Sequence, residues 1–468
     1  MFAKILTYFR VAWLTTWNIL LNGLSGGRFV WLEGRVRNGR FHNWAYRFRY
    51  QPPQFTQPTT EAEIITLVKN AKKIRVFGSG HSFNPGIVSD ELLLSLDQYA
   101  GVLWVDRAEK QMAVKGGTRV RDVVAALKEE GWAFVALPSH DAQSIGGILS
   151  TDVHGTGRDW GFVSQSVVAL KLVDGLGKVH VCQPADPLFQ AAIGGIGAVG
   201  IIIDVVVKAV DRFNVEQITT ISDLATVEAN LEQLLADNDH VSLYAFPFTD
   251  KCQINLWNRT EAQKSWAGSL REFLAISGDA LLAAWFGNLV AYSGLLPSLS
   301  SLAHSIKKST DLILESNEAF NRTIYHLHQE LEFSVPCADT LKEVCRFQKL
   351  YESLYQKNRL PYMLFEVRFT PAGHSHTLMG PGQADRCGWI DLVCNDSAGF
   401  ERFYTAAEQQ MKEIGARPHL GKFSQSYRHD DFVQLYGERF TLFKRLVMIH
   451  DPFSKFVNPF VGRLFSRT

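Results

Sequence analysis

The chain has 468 residues, 46% of them hydrophobic, and a formal net charge of +1. That length supports two or more domains with cores of their own, and the balanced charge argues against a nucleic-acid or other polyanionic partner. The six cysteines, Cys182, Cys252, Cys337, Cys345, Cys387 and Cys394, form no CxxC pair and match no zinc spacing, so they read as free thiols of a reducing compartment.

Residues 4–24, KILTYFRVAWLTTWNILLNGL, are about long enough to cross a bilayer. Arg10 and Asn18 interrupt them, and an arginine at mid-membrane costs about 2.5–3.5 kcal/mol. No small-residue cleavage site follows, so a signal peptide is not expected. Arg28, Arg35, Arg37, Arg40, Arg47 and Arg49 come next, with only Glu33 against them. If the segment spans, that bias holds the body of the protein in the cytoplasm. A helix lying on the membrane surface and a helix packed on its own protein are the other two placements, the last making the protein cytoplasmic. Membrane contact through this segment, with the catalytic body on the cytoplasmic side, is the expectation.

The Pro-rich stretch QPPQFTQPTT (51–60) reads as a link, with the globular body beginning just after it. Thr60 and Glu63 then form a capping box, and Ile64, Ile65, Leu67, Val68 and Ala71 line one helical face. IRVFG is a strand feeding the turn Gly78-Ser79-Gly80. LLLSL and GVLWVD are further strands, and TRVRDVVAALKEEG is an amphipathic helix closed by Gly131. VVALKLVDGLGKVHVC reads as a hairpin about Asp174-Gly175. A short helix, a glycine run and the strand IIIDVVV follow. This mixed order predicts an α+β body of several short sheets, without the regular beat of a doubly wound sheet.

From about residue 213 the texture changes. The stretch 217–238 has helical spacing; LYAFPF, CQINLWNRT, YMLFEVRFT and WIDLVC look like strands; GFERFYTAAEQQMKEIGA is a helix ending at Gly415. Residues 280–298 form a second long apolar run, interrupted by Gly287, Asn288 and Pro297, which predicts a buried or membrane-facing helix pair in preference to a span. The resulting divisions are 1–50 (membrane-associated helix and basic linker), 51–212, 213–415 and 416–468.

Three glycine clusters carry the chemistry of the first half. Gly78-Ser79-Gly80 turns backbone N–H groups inward, as a pyrophosphate requires. It is not GxGxxG and no βαβ unit follows, so a Rossmann reading fails, and alone such a turn is more often an ordinary tight turn than a phosphate loop. SIGGILSTDVHGTGRDWG (144–161) sets Gly146, Gly147, Gly155 and Gly157 around His154, and GGIGAVG (194–200) again removes side chains. Three such clusters at strand ends suit a long ligand lying against backbone, such as a dinucleotide; otherwise they are three unrelated loops. In the second half Glu366 and Arg368 stand two apart on a strand and so share a face, while Arg417, His419 and Lys422 fall in a short turn after a helix.

On these segments the chain resembles flavoproteins of the vanillyl-alcohol oxidase type, and among them the sugar-1,4-lactone and alditol oxidases, from about residue 55 to about 450. The resemblance implies an α+β architecture: a two-subdomain FAD-binding domain (PCMH type), an α+β substrate-binding cap, and a C-terminal segment returning to the flavin. It implies FAD, bound at Gly78, Ser79, Gly80, His81 and Ser82 and bonded covalently through a ring nitrogen of His81 to the flavin 8α-methyl. Ser144, Gly147, His154, Gly155, Gly157, Gly200, Ile201 and His419 join the implied cofactor contacts. Glu366, Arg368 and Lys422 match residues beside the flavin in that family, with Leu420 where tryptophan is usual. Ser139 matches a serine that contacts substrate, and Pro138 a position that gates oxygen, where proline favours oxidases over dehydrogenases.

The implied reaction removes a hydride from an alcohol carbon of a sugar-1,4-lactone or polyol, with O2 as acceptor and H2O2 as product. Lys422, if desolvated enough to be partly neutral, would take the hydroxyl proton; Arg368 would meet the flavin's developing charge; Glu366 would hold substrate hydroxyls and Arg368. Three alternatives stay open: a dehydrogenase using a quinone or cytochrome, a membrane-bound reductase of a lipid or sterol double bond, and a silent membrane-tethered binding protein. The sequence does not name the sugar, the acceptor or the oligomeric state.

Overall fold

The capping box forms as its residues predict. Thr60 Oγ1 accepts from the Glu63 amide, Glu63 reaches back to the Thr60 amide, and helix Glu61–Asn70 buries Ile64 and Val68. In this computed structural model, which describes residues 2–25, 33–264, 266–305, 309–320, 327–372, 377–395 and 399–466, that helix joins strand Gln54–Thr56 to strand Ile74–Phe77. Both strands run parallel to Leu92–Ser95, which lies between them. The stretch 51–60 is therefore no linker ahead of the body, because it supplies an edge strand of its first sheet.

A second sheet of five antiparallel strands has the order Val179–Cys182, Val167–Val173, Ile201–Lys208, Gln111–Lys115, Val102–Asp106. Its hairpin closes at Asp174, whose Oδ1 accepts from the Leu176 and Lys178 amides, with Gly177 at φ +73°. The third sheet holds the second half of the chain. Its eight antiparallel strands run in the order Thr310–Glu315, Asn214–Asp223, Lys251–Thr260, His240–Ala245, Met363–Thr370, Cys387–Asn395, His328–Pro336, Arg417–Pro418. Helices Thr340–Lys357 and Phe400–Glu413 bury Phe347, Tyr351, Tyr355, Phe403 and Tyr404 in the main core.

Three expectations change. The stretch 217–238 is helical only over Leu224–Ala229 and Leu231–Asp237, since Asn214–Asp223 is a strand. Its Gln217 and Thr219 face a cavity, so the apolar alternation that marks a strand is missing. The segment after residue 415 begins as an edge strand, Arg417–Pro418, paired to Phe333 and Ser334. The presumed basic linker is a three-stranded sheet, Arg35–Arg37, Arg40–His42 and Arg49–Tyr50, with Phe41 packed on Phe77 at 5.0 Å; Arg28 lies outside the described residues.

The N-terminal helix Phe2–Ser25 packs on the body. It buries Ala12, Thr15, Asn18 and Ile19. Its neighbour is the long helix Trp266–Ser293, whose Trp285 Nε1 donates to Thr16 Oγ1 at 3.0 Å. That neighbour starts well before the apolar run seen in the sequence and carries a π-helical turn at Ala283–Gly287. By length and composition it could cross a membrane, although one side of it lies on protein.

Glu33 ties the small sheet down by pairing with Arg119 and Arg121 at 3.5 and 3.1 Å, close to Asp141. Burial, opposed by Arg121, pushes the Asp141 carboxyl up to about 7. The folded protein thus keeps a proton that the unfolded chain releases near about pH 4, and stability falls as pH rises from there towards neutrality. Asp141→Asn removes this loss. Calorimetry should find the variant several degrees more stable than the parent at pH 8 and no more stable at pH 4; a constant difference at both would show that Asp141 stays ionised throughout.

Candidate active site

Strand Ile74–Phe77 ends at Gly78, and the turn Gly78–Ser82 walls a cavity of about 880 Å³ between the FAD-type half and the eight-stranded sheet. Neither of its glycines has room for a side chain. A Cβ on Gly78 would sit 1.8 Å from Ser144 Oγ, and one on Gly80, at φ +64°, 2.7 Å from Gly34 Cα. Ser144, Gly147, His154, Gly200 and Ile201 line the same wall, as do Pro138 and Ser139. It runs from Phe456 and Phe460 past the glycines to the sheet, a backbone-lined cleft that suits a dinucleotide.

Gly155 and Gly157 do not reach this wall. Their absent side chains make room for Leu137 O and Trp160 O, 2.4 and 2.0 Å from where a Cβ would lie. Between them Thr156 Oγ1 donates to Val241 O, and Gly157 N donates to Phe369 O at 2.8 Å, fastening the loop to the sheet. In the third cluster Gly194 packs on Gly380, and only Ile196, Gly197, Gly200 and Ile201 reach the cavity.

His81 is buried, with Nδ1 2.8 Å from Ser79 Oγ. The indole of Trp44 stacks on its ring at 5.5 Å and 12°, and Trp44 Nε1 donates to His81 O at 3.0 Å. Burial, and after it the Arg119 charge, lower the imidazole to about 3, so at neutral pH it is uncharged and holds a nitrogen lone pair.

On the sheet, side chains alternate into the cavity. Met363–Thr370 contributes Glu366 and Arg368, Cys387–Asn395 contributes Asp391, and His328–Pro336 contributes His328, Glu330 and Glu332. Glu366 faces Asp391, which faces Glu332, in one cross-strand row. Lys422 enters from a turn held by Asn84, whose Nδ2 donates to Leu420 O at 2.6 Å and Lys422 O at 2.8 Å. His419 Nδ1 accepts from Gly421 N at 3.1 Å inside that turn, and Leu420 is buried. Lys422 pairs with Glu330 and lies 3.5–3.6 Å from Asp391 and Glu332. Arg368 pairs with Glu332, lies 3.7 Å from Asp391, and reaches Ser139 Oγ at 3.4 Å. His154 Nε2 lies 3.1 Å from Glu332 and its ring stacks on Trp389 at 3.6 Å.

Burial opposes every charge in this group, and the partners decide which survive. For Lys422 the surrounding Asp391, Glu330 and Glu332 more than offset burial and drive its pKa above the ordinary lysine value. Its neighbours therefore favour a charged Lys422 over a partly neutral one. Glu330 and Glu332, against burial, are held below the usual carboxylate range by Lys422 and Arg368 respectively. Asp391 is the third carboxyl for two cations: burial and the charge of Glu330 push it well above its normal value, so it carries the proton. Glu366 enters none of these pairs among the described residues.

Sequence reasoning missed Trp44, His140, His328, Glu330, Glu332 and Asp391. The available signal was His328, Glu330 and Glu332 at alternate positions of one strand, and Asp391 alone in the apolar run WIDLVC.

A family model described as FAD binding domain matches residues 52–183, and one described as D-arabinono-1,4-lactone oxidase matches 205–464. The D-arabinono-1,4-lactone oxidase of Candida glabrata is 33% identical over 50% of this chain and 48% of its own length, so the match spans about half of that relative. The L-gulono-1,4-lactone dehydrogenase of Mycobacterium tuberculosis is 26% identical over 90% of this chain and 98% of its own, and the L-gulonolactone oxidase of Mus musculus 25% over 91% and 98%. A crystal structure of cholesterol oxidase from B. sterolicum superposes with a TM-score of 0.72 at 16% identity, covering 92% of this chain and 97% of that one, which shows a shared fold. With its glycine-walled cleft and the charged row of its cap sheet in one cavity, the chain belongs to the D-arabinono-1,4-lactone oxidase family of FAD flavoproteins.

Proposed function

We propose that the protein oxidises an alcohol carbon of a sugar-1,4-lactone or related polyol, with FAD tethered through His81 and O2 as the acceptor that yields H2O2. The observation that carries this reading is the meeting, in one cavity, of the glycine-walled cleft with the row Glu366, Asp391, Glu332. Bound FAD supplies the acceptor for a hydride leaving the alcohol carbon. The hydroxyl proton goes to the Glu366 carboxylate, which is not consumed by an ion pair, so the carbon and oxygen lose one hydride and one proton. Lys422 and Arg368 stay charged, orient substrate hydroxyls and meet negative charge as it develops. Protonated Asp391 donates a hydrogen bond.

His81 suits a tether because it is neutral, buried and held between Ser79 and Trp44. Acid-precipitated protein should keep its flavin fluorescence, and His81→Ala should release it; flavin that washes out of the parent protein removes the tether. Glu366→Gln is expected to lower turnover about 10²–10⁴-fold with flavin content and Tm unchanged. Full activity in that variant would return the proton to another group.

The N-terminal and 266–293 helices expose Phe9, Trp13, Trp17, Leu20 and Leu24 beside Trp266, Leu270 and Leu274. Arg37, Arg40 and Arg49 are exposed on the adjoining small sheet. Together they support a surface-lying membrane contact on an anionic leaflet. Co-sedimentation with vesicles should be stronger for anionic than for zwitterionic lipid and fall about tenfold in Trp13→Ser with Trp266→Ser; binding indifferent to both changes sinks this placement. A second reading has a lipid-dissolved quinone as acceptor. It is favoured by Leu282 and Phe286, which line the cavity yet are more than half exposed (59% and 55%) on that apolar helix. Reoxidation under air, set against reoxidation by a quinone without oxygen, separates the two.

A further inference from the structure

The cavity continues beyond the reacting row. Past Glu366 and Arg368 the same sheet face crosses His240–Ala245, Lys251–Thr260 and Asn214–Asp223, where it presents Asn255, Gln253, Thr219 and Gln217 to the cavity. A sheet face buried against a packed core is apolar. This one is buried and polar, so it is built to meet something polar.

The side chains are ordered among themselves. Gln253 Nε2 donates to Asn255 Oδ1 at 2.7 Å, Thr219 Oγ1 donates to the same oxygen at 3.2 Å, and Asn255 Nδ2 donates to Ser242 Oγ at 3.3 Å. Trp257 Nε1 donates to Gln217 Oε1 at 2.7 Å, and Gln217 Nε2 donates to Glu272 Oε2 at 3.1 Å. One acceptor is left over: Gln253 Oε1, in a residue only 6% exposed, has no hydrogen-bond partner among the described residues. A buried amide oxygen of that kind calls for a donor from a ligand.

Glu272, Ile276, Asp279 and Ala280 of helix Trp266–Leu282 close the chamber from above. Among the described residues, the cations that line the cavity, Arg75, Arg368 and Lys422, belong to the flavin and reacting regions, and none comes from the strands or helix that build this chamber. The amides and hydroxyl of Gln217, Thr219, Gln253 and Asn255 offer neutral hydroxyls both donors and acceptors, while the Glu272 carboxylate disfavours a phosphate or carboxylate. Register sets the distance: Gln253 faces Tyr244 and Tyr244 faces Glu366, so the chamber lies two strand spacings, about 10 Å, from the reacting row. That leaves room for a second sugar ring.

We infer that this chamber is a second carbohydrate subsite and that the preferred substrate is a glycosylated lactone or polyol. Its neutral second ring lies against Gln253, Asn255 and Thr219 while its reacting alcohol sits at Glu366 and Arg368. The assignment of the reacting end rests on the function proposed above.

The test compares kcat/KM for one polyol, the same polyol carrying a glucosyl group, and the same polyol carrying an octyl chain. The glucosyl form is expected to be preferred over the bare polyol about tenfold, and Gln253→Ala to bring that ratio close to one. Gln253→Glu, which keeps the acceptor, should retain most of the preference, with flavin content and Tm reporting the fold of both variants. A ratio near one in the parent, a ratio unchanged in Gln253→Ala, or a stronger preference for the octyl form overturns the subsite. If no lactone or polyol reduces the flavin, the proposed reaction falls, and equilibrium titration decides the subsite. Binding of the glucosyl polyol tighter than the bare one, and weaker in Gln253→Ala, supports it; equal binding overturns it.

Discussion

Arg368 is buried and Lys422 largely covered among Glu330, Glu332 and Asp391, and the placement of the rest of the molecule follows from keeping that group satisfied. Taking so many ionisable groups from water costs several kcal/mol each unless their geometry is good, and removing one partner strands another. The geometry draws on every part of the fold. Strand register sets Asp391 beside Glu332, the Asn84 amide holds the backbone on either side of Lys422, and Phe83 N donates to Gly421 O at 2.9 Å. Asn84 and Phe83 follow directly on the Gly78–Ser82 turn, so the cofactor wall and the charged row are positioned by the same few residues.

The count of charges has a chemical consequence. Two cations meet two ionised carboxylates and the third carboxyl keeps its proton, so these five groups nearly cancel, and the Glu366 carboxylate beside them adds a negative charge. Such a site does not favour an anionic substrate, and a cationic one would compete with Lys422 for Glu330. What remains is recognition of hydroxyls by oriented donors and acceptors, where an unmet hydrogen bond costs more than a missing methylene. Glu366, outside the pairs, is left as the carboxylate able to accept a proton without breaking an existing contact.

How much of this was legible depended on whether the signal was local. The capping box at Thr60, the hairpin at Asp174, the strand leading into Gly78 and the shared face of Glu366 and Arg368 rest on neighbours within a few residues, and they stand. In the sequence Glu330 and Glu332 are indistinguishable from the outward half of an alternating strand. They point inward only because Lys422, about ninety residues later, is there to pair with them. The charge of Lys422 stayed open in the sequence for the same reason: burial alone argues for a neutral lysine, and the carboxylates that oppose it come from two distant strands. Gly155 and Gly157 were expected as cofactor contacts from the family resemblance of their segment, but they lie off the cavity wall and pack against Leu137 and Trp160.

Residues 33–50 show how a polar-looking segment becomes structural. Its arginines suggested an extended basic linker, yet Phe41, Trp44 and Ala45 between them are fully buried. Phe41 packs against Phe77 and lies beneath Gly80, while Trp44 covers His81. Gly80, free of a Cβ, takes a left-handed conformation, and with Gly34 also bare the two backbones meet closely, Gly34 N donating to Ser79 O at 2.7 Å. The same segment carries Tyr46, whose ring lies 4.8 Å from the Arg10 guanidinium of the N-terminal helix. A continuous set of contacts therefore runs from the apolar outer helix to the histidine in the cofactor wall, and displacing that helix would loosen the packing that holds His81 before it disturbed any residue of the charged row.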